Sequence, residues 1–546
     1  MEGIARRRPR PQTFSGLRKE HLLAGLIVLL LLAVFLLPGR SFWAMDEGNR
    51  YLQVVSLSRS GLQLPPPIPY PGSELLPPSL LQTLKPLPYH YGTLENGRLY
   101  SQYNPLMALL SLPGYFLLGR SGIYLIPLLA GALLVMHLSR RYRRRGWRTK
   151  TSFALALLAT PIVFYSLTFW SHTLALLLGL IALDQARRGS IRAAIVLTVL
   201  SVLLREEMLL LIPLIILIRP RVASPISTTA TALGAVAFFL LAQRVLTGTW
   251  LGTHLAASGT EQAIYGHAGL SLLSSKLYVA ARTFFSMLPG VQGGWALPAG
   301  LGLWGLWGLG FLPDRRIGRV ARMVGMGACA AILVWMLARG ARASDTLVVK
   351  HPLLVFPVLW LCYPDTRRGL TFLGLCLLVV LALSPMHVDD LAWGLRHTLL
   401  PVFFLSLGMR KDLSRPLLPP VLVLGGLALL TSISLLTAKR VRSAELLDLC
   451  RSTGSSVITT SWEQPQDFAT LIEDGVPVLM ADRGGDLLEA LRALSEKYPV
   501  VVCRSESADL AIRAVELSGM RPTVVGRGYP DDPLLDVVVV TTARHR

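Results

Sequence analysis

The chain has 546 residues, of which 52% are hydrophobic and only 16% charged, and its mean hydropathy is +0.51. That composition excludes a cytosolic globule, and apolar runs recurring along most of the chain point to a polytopic membrane protein. The formal charge of +22, from 54 basic against 32 acidic residues, would suggest nucleic acid if it were pooled in one patch; it is spread over short clusters, and no nucleic-acid partner is expected.

Residues 1–20 read as a basic cytoplasmic tail. Leu22 to Leu37 is the first candidate span; Pro38-Gly39-Arg40-Ser41-Phe42-Trp43 follows it without a small-residue cleavage pattern, so it reads as a retained signal anchor. An outer loop, 39–120, comes next, rich in proline (Pro65-Pro66-Pro67) and in tyrosine (Tyr70, Tyr89, Tyr91, Tyr100, Tyr103). Tyrosine favours the headgroup level, which predicts a loop lying on the membrane face. Within it, Asn104 to Gly119 is apolar but interrupted by Pro105 and Pro113, and is expected to be an interfacial or half-inserted helix.

Further apolar stretches fall near 121–139, 151–168, 172–188, 191–204, 207–219 and 226–246, with six more between 296 and 437, for about thirteen spans in all. Basic residues punctuate them: Arg6 to Lys19, Arg140 to Lys150, Arg187 to Arg192, Arg219 and Arg221, Arg315 to Arg322, Arg367 and Arg368, and Arg410 to Arg415. These seven clusters hold half of the chain's Lys and Arg. With the amino terminus inside, alternation puts every cluster on the cytoplasmic side, as the positive-inside rule asks. Residues 21–437 are thus read as the transmembrane domain of a multi-pass plasma (inner) membrane protein, with the carboxyl tail outside.

From about Ala438 the pattern changes. Strand-like runs (Ser456–Thr459, Val476–Met480, Pro499–Cys503, Thr523–Val525, Asp536–Thr541) alternate with helical patterns at 465–474, 486–497 and 505–518, which predicts a small α/β domain, 438–546, with a largely parallel sheet. Asp486 with Glu489 marks a helix start, Gly519 a helix stop, and Arg483-Gly484-Gly485 a tight turn. Cys450 and Cys503 share this tail, as one disulfide or as two unpaired small hydrophobes. The fold class expected is an all-α polytopic membrane domain followed by a C-terminal α/β domain.

Directly after the first span stands Trp43-Ala44-Met45-Asp46-Glu47-Gly48-Asn49-Arg50-Tyr51. Two carboxylates and a guanidinium fall within about one helical turn, a base and a cation at the outer membrane edge; an interfacial stop sequence would look the same. Three more stretches stand out: Gly97-Arg98-Leu99-Tyr100-Ser101-Gln102-Tyr103-Asn104-Pro105-Leu106; Leu204-Arg205-Glu206-Glu207 at a span end; and Trp393-Gly394-Leu395-Arg396-His397-Thr398-Leu399-Leu400-Pro401.

Together with the long outer loop, the many spans and the outer domain, these residues resemble the GT-C superfamily of integral-membrane glycosyltransferases, in particular the protein O-mannosyltransferase and aminoarabinose transferase branch (glycosyltransferase families 39 and 83). Asp46-Glu47 matches the place of that family's Asp-Glu motif. The spacing to Arg50-Tyr51 is one residue longer than the family's, and a lysine common in the loop motif is replaced by the run Gln102, Tyr103, Asn104. The resemblance implies inverting transfer of a sugar from a polyprenyl-phosphate donor to a glycan, lipid or protein acceptor at the outer face. Asp46 would be the base and Glu47 its orienting neighbour. Arg205 and Arg396, then Arg50, would face the leaving phosphate, and Tyr100, Gln102, Asn104, His172, Glu206 and His397 would line the substrate site.

Each has a structural alternative: an ion pair of Arg205 with Glu206 or Glu207, of Arg396 with Asp389 or Asp390, and an interfacial role for both histidines. The donor is a substrate and the sequence identifies no cofactor; a divalent metal could bridge a carboxylate and the phosphate, but no close His, Asp and Glu spacing supports one. Competing readings are a flippase or transporter of lipid-linked glycans, an O-antigen ligase or polymerase, and a non-catalytic scaffold.

Overall fold

The computed structural model describes Phe42, residues 45–87, 92–101, 103–142, 162–212, 215, 225–248, 437–452, 456–460, 468–481, 484–527 and 537–544, with a few isolated positions elsewhere. The first span at Leu22 to Leu37, the stretches expected between 296 and 436, and with them Gln102, Arg396 and His397, lie outside the described residues.

The segment after the first expected span is a helix, α1 (Met45–Arg59), with Asp46 and Glu47 in its first turn and Arg59 in its last. Both ends suit the helix dipole. The outer loop then departs from the all-α expectation. It contains a short helix, α2 (Pro78–Leu81), and a three-stranded antiparallel sheet of order β1-β3-β2, built from β1 (Pro67–Ile68), β2 (Gly92–Glu95) and β3 (Arg98–Ser101). Asn96 and Gly97 both have positive φ, 50° and 73°, the geometry a two-residue hairpin turn requires and the reason Asn-Gly favours one.

Helix α3 (Leu106–Leu118) follows, then a 3-10 turn (Gly119–Tyr124) and α4 (Leu125–Tyr142). Residues 106–137 form an apolar run long enough to cross a membrane, but it is not straight. In a continuous helix, residues eight apart are separated by about 12 Å. Here a Cβ on Gly122 would lie 1.8 Å from the Gly114 carbonyl oxygen. The chain therefore folds back at Gly119, whose φ is +60°, and α3 packs beside the start of α4. The end of α3 exposes Phe116, Leu117 and Leu118.

Four more helices complete the described bundle: α5 (Ile162–Leu167), α6 (His172–Arg187), α7 (Ile191–Leu204) and α8 (Pro225–Thr247). Helices α6 and α7 form a hairpin that turns at Gly189, φ +86°, and is pinned where the Ser201 hydroxyl donates to the Ala175 carbonyl at 2.7 Å. The expected stretch at 207–219 opens as a 3-10 turn, Glu206–Leu210. Large apolar side chains face outward in helical stripes: Leu129 and Leu133 on α4, Val196 and Leu200 on α7, Phe238, Leu241 and Val245 on α8. Exposed apolar stripes of this kind suit contact with lipid or with another apolar surface.

The C-terminal domain begins with a helix over 437–452, here α9. Its strands β4 (Val457–Thr459), β5 (Val478–Met480), β6 (Val500–Cys503), β7 (Met520–Arg527) and β8 (Val538–Arg544) form one sheet of order β5-β4-β6-β8-β7. Helices α10 (Ala469–Glu473), α11 (Gly484–Ala493) and α12 (Ala508–Leu517) alternate with them. The sheet is mixed rather than largely parallel: β5, β4 and β6 are parallel, but β8 runs antiparallel to β6 and β7 to β8. Only ten residues separate β7 from β8, fewer than a parallel crossover needs, so the two pair antiparallel. Asp486 sits inside the first turn of α11 rather than ahead of it, while Gly519 ends α12 with φ +80°. Cys450 and Cys503 are free and buried, and burial pushes the Cys450 thiol up to about 12.

Candidate functional site

Two adjacent stripes of α1 organise the site. Residues 46, 50 and 53 recur at the helical spacing and meet Tyr103, at the end of the outer sheet. The Tyr103 hydroxyl donates to Asp46 Oδ1 at 2.5 Å, the Arg50 guanidinium lies 5.1 Å over the Tyr103 ring, and Gln53 Nε2 donates to the Tyr103 carbonyl at 2.6 Å. Arg50 Nη1 also stands 4.0 Å from Asp46 Oδ2. The neighbouring stripe carries Glu47 and Tyr51. The Phe169 amide donates to Glu47 Oε1 at 2.6 Å, and the Tyr51 hydroxyl donates to Glu473. Asp46, Glu47, Arg50 and Tyr51 are all buried, so the sequence pattern of adjacent charges becomes a dry, paired cluster. Burial, and then the bond to Glu473, push the Tyr51 phenol above its ordinary range.

Beside this cluster a narrow pocket, open to solvent at its mouth, is lined by Arg50, Tyr103, Asn104, Arg205, Glu206 and Gln243, with Met107 and the apolar end of α7. Asn104 donates to Gln243 Oε1 at 2.7 Å and accepts the Leu106 amide at 2.9 Å, which fixes the amide at the start of α3. Arg205 terminates α7 in extended backbone. Its Nε donates to Glu207 Oε1 at 2.8 Å, with both side chains buried, and its Nη2 is buried with no hydrogen-bond partner among the described residues. A guanidinium held on one edge and short of an acceptor on the other is suited to an anion.

The structure thus brings together Asp46, Glu47, Arg50, Asn104, Arg205 and Glu206, from three separate stretches of sequence. Asp46 is not itself in the pocket wall; Tyr103 stands between. Tyr100 lies half-buried on β3, opposite Thr93 and Pro67, away from the pocket. His172 is fully buried at the start of α6 and stacks on Tyr165, centroids 4.2 Å and planes 10° apart, with Trp170 at 5.0 Å. It belongs to an aromatic core rather than to the pocket wall. The ion pair foreseen for Arg205 forms with Glu207, leaving Glu206 at the pocket.

Tyr103, Gln243 and Glu207 are the site residues that the sequence did not single out. Tyr103 stood inside a recognised stretch, and Glu207 was weighed only as a structural partner. Gln243 lies near the end of a long apolar helix where nothing marks it. Among the described residues no three His, Cys, Asp or Glu side chains cluster as metal ligands would.

No family model matches this sequence, and no curated protein matches it. Among solved structures the chain is similar to the crystal structure of ArnT from Cupriavidus metallidurans in the apo state, at 13% identity and a TM-score of 0.40, over 95% of this chain and 97% of that one.

Proposed function

We propose that the protein is an inverting glycosyltransferase that moves a sugar from a polyprenyl-phosphate donor to an acceptor at the outer membrane face. One observation carries this reading: two guanidiniums, Arg50 and Arg205, line a single pocket, and a buried carboxylate, Asp46, lies one hydrogen bond behind its wall. Transfer from a lipid phosphate needs cations where the leaving phosphate gathers charge and a base for the incoming nucleophile.

In this reading the buried, orphaned Nη2 of Arg205 takes a phosphate oxygen, and Arg50 stands on the other side of the same space. Asn104, held by Gln243 and the Leu106 amide, presents a fixed amide to the sugar or acceptor. Asp46 takes the acceptor proton, by way of the Tyr103 hydroxyl or in its place. Glu47, tied to the Phe169 amide, keeps the first turn of α1 in register. The exposed apolar stripes of α4, α7 and α8 fit a lipid-borne donor that reaches the pocket from the bilayer.

The test uses the full-length protein in lipid with a radiolabelled polyprenyl-phosphate sugar. Asp46→Asn is expected to lower transfer by roughly 100-fold or more while donor binding changes little. Retained turnover removes Asp46 as the base. Movement of donor between leaflets with the phosphate-sugar bond intact would replace the transferase by a flippase.

A further inference from the structure

The C-terminal domain grips the segment that carries the candidate site. Glu473, the last residue of α10, accepts hydrogen bonds from the Tyr51 hydroxyl, from the Tyr115 hydroxyl at 2.9 Å and from Arg120 Nε at 2.7 Å. Asp474 beside it takes Arg120 Nη2 at 2.7 Å and Arg451 Nη2 at 2.9 Å. Arg59, at the far end of α1, donates to the Glu473 carbonyl at 3.1 Å. A second seam runs along the outer loop. The Met480 amide donates to the Leu84 carbonyl at 3.2 Å, and Gly72 sits so close to Pro477 that a Cβ there would lie 2.7 Å from the ring. The linking helix adds a third, where Arg440 donates to the Leu167 carbonyl at 3.0 Å and lies over the Tyr124 ring at 5.3 Å.

Glu473 is the most connected of these groups. Its carboxylate is only 11% exposed, and it binds three donors from α1, α3 and the turn after α3. Charge-assisted bonds of this kind fix geometry as well as contribute energy. Tyr51 follows Arg50 directly and lies one turn beyond Glu47, on the stripe that is rotated by about 100° from the Asp46 and Arg50 stripe. Phe169 holds the start of that stripe through Glu47, and Glu473 holds its next turn through Tyr51. Two anchors one turn apart set the rotation of the helix, and with it the direction in which Asp46 and Arg50 point.

We infer that Glu473 is a positioning residue: by holding Tyr51 it fixes the rotation of α1, so that the C-terminal domain completes the candidate site as a structural part of it. The kinetic half of this inference rests on the transferase reading, and the structural half does not.

The experiment measures amide hydrogen exchange over residues 45–59 and steady-state transfer in the full-length protein in lipid. Glu473→Ala is expected to speed exchange in α1 about tenfold or more and to lower kcat by a similar factor, with donor KM changed less than about threefold. Glu473→Gln, which keeps an acceptor for Tyr51, should fall between, and Glu516→Ala, exposed on α12, should match the wild type. Tyr51→Phe removes the same contact from the other side and serves if Glu473→Ala does not fold; combined with Glu473→Gln it should cost less than the two changes summed. Unchanged exchange in α1 overturns the inference, as does faster exchange with wild-type kcat. If the wild type transfers no sugar, the transferase reading fails by itself and the exchange of α1 alone decides the role of Glu473.

Discussion

Tyr103 shows how a single residue converts a weak sequence signal into a site. The Asp-Glu pair after the first span was legible as a candidate through its place in the chain, which matches the Asp-Glu motif of the family that the sequence resembles. Nothing local indicated that a tyrosine 57 positions away would close on it. The same holds for Arg205, whose two competing roles were both foreseeable from Glu206 and Glu207 at its side, while only side-chain geometry selects Glu207 as partner and leaves Glu206 at the pocket. Lys85 is a third instance. It is buried, donates to the Gly92 carbonyl at 2.6 Å, and desolvation pulls its ammonium down to about 8 from an ordinary value near 10.5. The unfolded chain therefore binds more protons between these values, so stability rises with pH across that window and the cost of burial is full below it. Thermal unfolding in detergent between about pH 8 and 9.5 should show the rise, up to roughly 3 kcal/mol over the full window, and Lys85→Met should flatten it. A slope unchanged in the variant would assign it to other groups.

At the scale of elements, the helices were more legible than the strands. The bounds of α6, α7 and α8 follow the apolar stretches closely because burial and helical period coincide there. The outer hairpin went unrecognised although Asn96-Gly97 is a strong turn signal; its flanking strands are only four residues each and merge into a proline-rich loop. The parallel order of β4, β5 and β6 was readable from intervening helices, and the reversal at β8 was not, since a short connection is compatible with several pairings. The fold-back at Gly119 depends on a contact that sequence does not display, the approach of the Gly114 and Gly122 backbones. Gly122→Ala should therefore destabilise the protein by about 3 kcal/mol, whereas Gly234→Ala, a helical site with nothing near, should be neutral or stabilise by up to about 1 kcal/mol. Equal thermal shifts for the two variants would contradict the close approach.

On the scale of the whole molecule, the alternation of basic clusters with apolar runs assigns the span ends to two sides of a membrane. In the structure Phe169 meets Glu47, Asn104 meets Gln243 and Arg440 meets Leu167, while His137 meets Asp184 at 3.0 Å. If the C-terminal domain is outside, a cysteine placed by Glu516→Cys should react with a membrane-impermeant maleimide in intact cells, the native Cys450 and Cys503 being buried. Labelling only after permeabilisation would invert the topology. Sequence alone determined that the chain is apolar and punctuated by cations, that its tail is α/β, and that acidic and basic residues recur at span ends, because hydropathy and charge act over short windows. Tertiary structure decided which of those charges share a pocket, which are spent on one another, and that the tail is bound to α1 through Glu473, because side-chain pairing between segments hundreds of residues apart leaves no periodic trace in the chain.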